Sequence, residues 1–95
     1  MIVAKWKGKE IAKSDDTVII ENNHYFHKDD VNMEYLEPTD TNTTCHWKGV
    51  ASYYSVVVDG ETNKDAAWYY PNAKDAAKEI ENRIAFWKGV EIIED

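Results

Sequence analysis

Between Thr44 and Pro71 the chain gathers its only cysteine, two of its four tryptophans and four of its six tyrosines, interspersed with Lys48, Asn63, Lys64 and Asp65. Aromatic rings supply apolar walls and a few polar groups supply anchors, which is the composition of a small-molecule site. Tyrosine suits the border of such a site, because its hydroxyl must find water or a partner. Trp68, Tyr69 and Tyr70 with Tyr53 could form an aromatic box for a flat or cationic ligand. The same rings are also what a chain of 95 residues needs to fill its interior.

The candidates for covalent or acid–base chemistry are few. Cys45 and His46 carry a nucleophile and a base, but neighbours on an extended strand point to opposite faces and cannot act as a dyad. A lone cysteine more often serves as a small buried hydrophobe. Asp65 stands among aromatics, where an unpaired charge is costly, and Lys48 is its natural counter-ion. Cys45 and Asp65 therefore remain the catalytic candidates. His24, His27, Cys45 and His46 have zinc-ligand atoms at a spacing that matches no familiar knuckle, so no metal is expected. No phosphate-binding loop, dinucleotide fingerprint or nucleophile elbow occurs, and no cofactor is expected.

The elements that must position these residues are mostly strands. Ile2 to Trp6, Glu10 to Lys13 and Thr17 to Glu21 alternate in the manner of a meander, with turns at Lys7-Gly8 and Ser14 to Asp16. Asn22-Asn23 marks another turn, followed by a short strand from His24 to His27, a helical turn at Lys28 to Asp30 and a strand from Met33 to Glu37. The clearest element is a hairpin at Asp59-Gly60, a dipeptide suited to two positive backbone angles. If Val58 pairs with Glu61, Tyr53, Trp68 and Tyr70 share one face, and Tyr54, Tyr69, Asn63 and Asp65 share the other; a bulge would exchange these assignments. Ala73, Ala76, Ala77 and Ile80 recur at helical spacing, which predicts one short helix near 72–82 with Asn72 as its cap. Val90 to Ile93 reads as the last strand. Trp-Lys-Gly occurs three times, from Trp6, Trp47 and Trp87, without matching flanks; this is turn chemistry rather than an internal repeat.

Length and composition predict a single domain over residues 1–95, with enough apolar content, 43%, to fold. A net charge of −7 disfavours nucleic acid and anionic membrane surfaces as partners. One cysteine, no signal-peptide pattern and no long apolar run make the cytoplasm the expected location.

Several motifs are familiar together: N-H-Y-F at Asn23 to Phe26, D-V-x-M at Asp30 to Met33, L-E-P at Leu36 to Pro38, C-x-W-K-G at Cys45 to Gly49, and D-A-A-W-Y-Y-P at Asp65 to Pro71. A-x-x-I and A-F-W follow, at Ala77, Ile80 and Ala85 to Trp87. The chain resembles the domain of unknown function 427 family over nearly its whole length. That family is similar in fold to the β-tent (Mss4-like) group, which includes methionine sulfoxide reductase B and the ligand-binding domain of cereblon. The resemblance implies a mainly β fold: two antiparallel sheets pinned at one end, with one short helix and no zinc knuckles. A nucleotidyltransferase-like label is sometimes attached to the family. His27 and His46 stand where members often have proline.

The expected function is binding of a small molecule or modified side chain in a cleft bordered by Tyr25, Cys45, Trp47, Tyr53, Trp68 and Tyr70, with Lys48, Asn63 and Asp65 orienting the ligand. The alternatives are a small-substrate enzyme using Cys45 or Asp65, and a structural or protein-interaction module. Monomer and homodimer are both compatible with the sequence.

Overall fold

The computed structural model describes residues 1–95, and nine strands carry the fold. They are β1 (Ile2–Trp6), β2 (Lys9–Ser14), β3 (Val18–Ile20), β4 (Asn23–Tyr25), β5 (Leu36–Cys45), β6 (Gly49–Val58), β7 (Glu61–Tyr69), β8 (Ala85–Phe86) and β9 (Glu91–Glu94). The mainly β expectation holds. The strands form three sheets, ordered β2-β1-β9, β3-β4 and β5-β6-β7-β8. The β3-β4 pair stands apart because isolated bridges, rather than a ladder, link this region to its neighbours; one joins Phe26 to Ile84. No helix is long and apolar enough to cross a membrane.

Two-residue turns close three hairpins. Lys7-Gly8 (φ 53° and 75°), Glu21-Asn22 (53° and 65°) and Asp59-Gly60 (51° and 79°) all take the paired positive angles whose twist matches antiparallel strands. The second of these lies one residue before the Asn22-Asn23 turn expected from sequence. A three-residue loop, His46–Lys48, joins β5 to β6, with Cys45 paired to Gly49.

The helix near 72–82 is shorter than its periodicity suggested. Only Asp75–Ile80 is helical, in the 3-10 form, with Lys74 at its N-cap and a kink at Ala77 (φ −127°, ψ 22°). So short a segment is not stable by propensity and is held by burying Ala77 and Ile80. Lys28–Asp30 is the expected helical turn, whereas Met33–Tyr35 is a second 3-10 turn where a strand was expected, so β5 begins only at Leu36.

Two core clusters result. The larger includes Ile11, Phe26, Tyr54, Val56, Val58, Ile84 and Phe86. The smaller includes Tyr25, Ala51, Tyr70, Ala77 and Ile80, with Cys45, Tyr53 and Trp68 packed against it. Alternate residues of β6 divide between them: Tyr54 goes to one cluster, Ala51 and Tyr53 to the other.

Candidate functional site

The long hairpin β6-β7 sets the site. Tyr54 pairs with Ala67 and Val56 with Asn63, so the single residue Ser55 lies opposite Lys64, Asp65 and Ala66. Two extra residues are an even number, and alternation survives the bulge. Tyr53 therefore pairs with Trp68, and Tyr54 stacks on Tyr69 at 5.0 Å, on the faces the unbroken alternation assigned them.

Asp65 forms the bulge, with φ at 56° and its amide donating to Ser55 Oγ at 3.2 Å. Its carboxylate accepts hydrogen bonds from Thr39 Oγ1 and Thr41 Oγ1, each at 2.7 Å. The Thr39 hydroxyl, followed by that of Thr41, holds the carboxyl below its usual range. Lys48 is not its partner, contrary to the expected pairing. The Lys48 ammonium is bonded instead to the Glu21 carboxylate, supplied by the β3-β4 turn. Burial of Lys48 opposes its charged form, but the bond to Glu21, with Tyr25 and Tyr70 nearby, prevails and raises its pKa.

On the Tyr53 side of the sheet, Lys48, Tyr53, Trp68, Tyr70 and Trp87 line a cleft of about 140 Å³. Each wall is fixed from behind. Trp68 Nε1 donates to the Tyr25 hydroxyl at 3.2 Å, and the two rings meet edge to face at 6.1 Å. Trp87 Nε1 donates to the Asp65 carbonyl at 2.6 Å, and its ring lies 5.8 Å from that of Trp68. The Tyr53 hydroxyl pairs with Thr43 Oγ1 at 2.9 Å. The Lys48 ammonium lies 5.7 Å from the Tyr70 ring centre and 5.3 Å from that of Trp47. Burial, opposed by the Lys48 charge, raises the Tyr70 pKa, so its hydroxyl stays protonated at neutral pH.

Of the nine residues nominated from sequence, Lys48, Tyr53, Trp68 and Tyr70 meet at the cleft. Tyr25 is fully buried behind it, and Cys45 packs against the same core cluster. Trp47 is on the outer side of the Lys48 loop, 39% exposed. Asn63 turns away, donating to the Lys88 carbonyl at 2.7 Å, and Asp65 reaches the cleft only through its carbonyl bond to Trp87. His24 is tied to Thr17 and His27 to the Asp29 amide, and no group of three His, Cys, Asp or Glu side chains is arranged to hold a metal ion.

Two residues escaped the sequence reading. Trp87 had a signal in the recurrent Trp-Lys-Gly: each lysine ammonium lies 5.0 to 5.5 Å from the ring centre of the tryptophan before it. Glu21 had none, since its pairing with Lys48 spans 27 positions of chain.

The family model described as domain of unknown function (DUF427) matches residues 1–95. No curated protein gives a match.

Proposed function

We propose that this chain, which belongs to the domain of unknown function 427 family, is a binding domain that takes a compact, flat small molecule or a modified side chain into its aromatic cleft. The observation that carries this reading is the convergence of four aromatic side chains and one buried ammonium, from separate stretches of chain, around an opening of about 140 Å³. That volume lies below the roughly 300–1,000 Å³ of drug-sized pockets, so the group that enters is about one ring in size. Aromatic walls favour stacking or edge contact with a planar ligand. Lys48, held charged by Glu21, favours an electronegative edge on that ligand and repels a cation.

Acid–base catalysis by Asp65 draws no support from the geometry. Both its oxygens accept hydroxyl hydrogens, and a carboxylate held below its usual pKa is a weak base. Cys45 lies beside the cleft's inner wall, and rapid alkylation of its thiol below neutral pH would revive the enzyme reading.

A thermal-shift screen of planar metabolites tests the binding reading. The expected result is a compound that raises the melting temperature of the parent protein but not that of Trp87→Ala or Trp68→Ala. Failure of every compound, or equal stabilisation of parent and variants, overturns it.

A further inference from the structure

A second cavity lies on the opposite side of the β6-β7 hairpin, where Lys28, Tyr54, Tyr69, Asn82 and Ile84 enclose about 310 Å³. It is the larger of the two and reaches the size range of metabolite sites, roughly 300 Å³ upward. Its frame is held by backbone bonds. Phe26 and Ile84 exchange amide–carbonyl bonds at 2.8 and 2.9 Å, and the Asn82 amide donates to the Tyr70 carbonyl at 3.0 Å. Asn82 takes φ 64°, a conformation that asparagine tolerates and that turns the chain over the stacked tyrosines.

The polar groups here differ from those of the aromatic cleft in one respect. In the cleft, both indole N–H groups, the Tyr53 hydroxyl and the Lys48 ammonium are committed to partners within the chain, which leaves only the Tyr70 hydroxyl without one. In the second cavity, the Lys28 ammonium and the Asn82 carboxamide have no such partner, and the two tyrosine hydroxyls have none beyond each other. No buried side-chain polar atom is unpaired in this protein, so these groups are open to the cavity or to solvent. Burial, reinforced by Tyr69, raises the Tyr54 pKa, which keeps its hydroxyl a donor at neutral pH. No carboxylate lines the cavity. Glu81, next to Asn82, is engaged by Lys78 at 2.8 Å and by the Ala73 amide at 3.1 Å, while Asp29 and Asp30 are exposed beside Lys28.

We propose that this cavity is a second binding site, for a small organic oxyanion. Lys28 supplies the charge, the adjacent Tyr54 and Tyr69 hydroxyls a donor, Asn82 an amide donor, and Ile84 an apolar wall for the carbon skeleton. Carboxylates and phosphate monoesters share this chemistry, and both must overcome the net negative charge of the chain, a repulsion that salt screens.

Titration of the full chain with succinate and with glycerol 3-phosphate, followed by NMR, tests the site and separates the two classes. The expected result is saturable shifts at Tyr54, Tyr69, Asn82 and Ile84 with at least one probe, and none with neutral succinamide or glycerol. Tyr69→Phe and Lys28→Met each weaken binding about tenfold while melting as the parent does. Unshifted indole N–H signals of Trp68 and Trp87 separate this site from the cleft. No saturable shift with either anion, equal binding of the neutral probes, or undiminished binding by both variants overturns the proposal.

Discussion

Asp65 and Lys48 show how single side chains acquire their roles. Thr39 and Thr41 are spaced to present both hydroxyls to one carboxylate across the β5-β6-β7 sheet. Replacing either with valine is expected to cost about 1–2 kcal/mol and to move the Asp65 pKa back toward the ordinary value near 3.9, as read by carboxyl NMR titration. Because the folded pKa is depressed, this stabilisation is fully present above the unfolded value and is lost as pH falls through the folded one. Urea unfolding of the parent and Thr39→Val should therefore converge in strongly acid solution. Lys48 has the opposite sign: its folded pKa is raised, so its contribution is present below about 10.4 and disappears as pH climbs through the folded value. Glu21→Gln should lower the Lys48 pKa and cost about 1–2 kcal/mol at neutral pH, a value discounted for the exposure of the Glu21 carboxylate. The residue types were readable as polar anchors beside aromatics. Their partners were not, because the sequence places Lys48 nearer Asp65 than Glu21, and only the approach of the β3-β4 turn to the β5-β6 loop reverses that choice.

At the scale of elements, local chemistry dictated most of the strands and turns. Asp59-Gly60, Lys7-Gly8 and the asparagines after Ile20 each mark a reversal with residues that accept positive φ. Gly49 is a different case, with φ at 115° and a closely packed neighbour: a Cβ there would lie 3.1 Å from the Asn72 carbonyl oxygen. Gly49→Ala is expected to destabilise by about 2–3 kcal/mol, more than Gly8→Ala, whose turn is open to solvent, with chemical denaturation as the measure. Where local signals were overruled, tertiary packing did it. The alanine-rich stretch after Pro71 scans as a helix, but its ends are tied by the Lys74 amide bonding the Lys48 carbonyl and the Asn82 amide bonding that of Tyr70, which leaves room for 3-10 turns only. Far-UV circular dichroism should accordingly show a β-rich spectrum with little helical signal.

The molecule as a whole hangs two cavities on opposite sides of one hairpin and leaves β9 as a sheet edge. Ile92 and Ile93 are 39% and 37% exposed on that edge, flanked by Glu91 and Glu94. Acids so placed oppose pairing with a second copy, since two-fold antiparallel pairing about the Ile92-Ile93 pair sets Glu91 against Glu94. Glu91→Thr with Glu94→Thr should raise self-association, visible as a larger mass by light scattering at high concentration. Taken by itself, the sequence determined the β-rich class, the family, the central hairpin and the two aromatic faces, because alternation, turn residues and family motifs are properties of neighbouring positions. Only the tertiary structure decided which charges pair, that Trp87 completes the cleft, and that Lys28, Tyr54, Tyr69 and Asn82 meet at a second cavity behind it. Those outcomes depend on contacts between distant positions, 27 apart for Lys48 and Glu21 and 22 apart for Trp87 and Asp65, whose distances are set by how the sheets pack and leave no trace in local pattern.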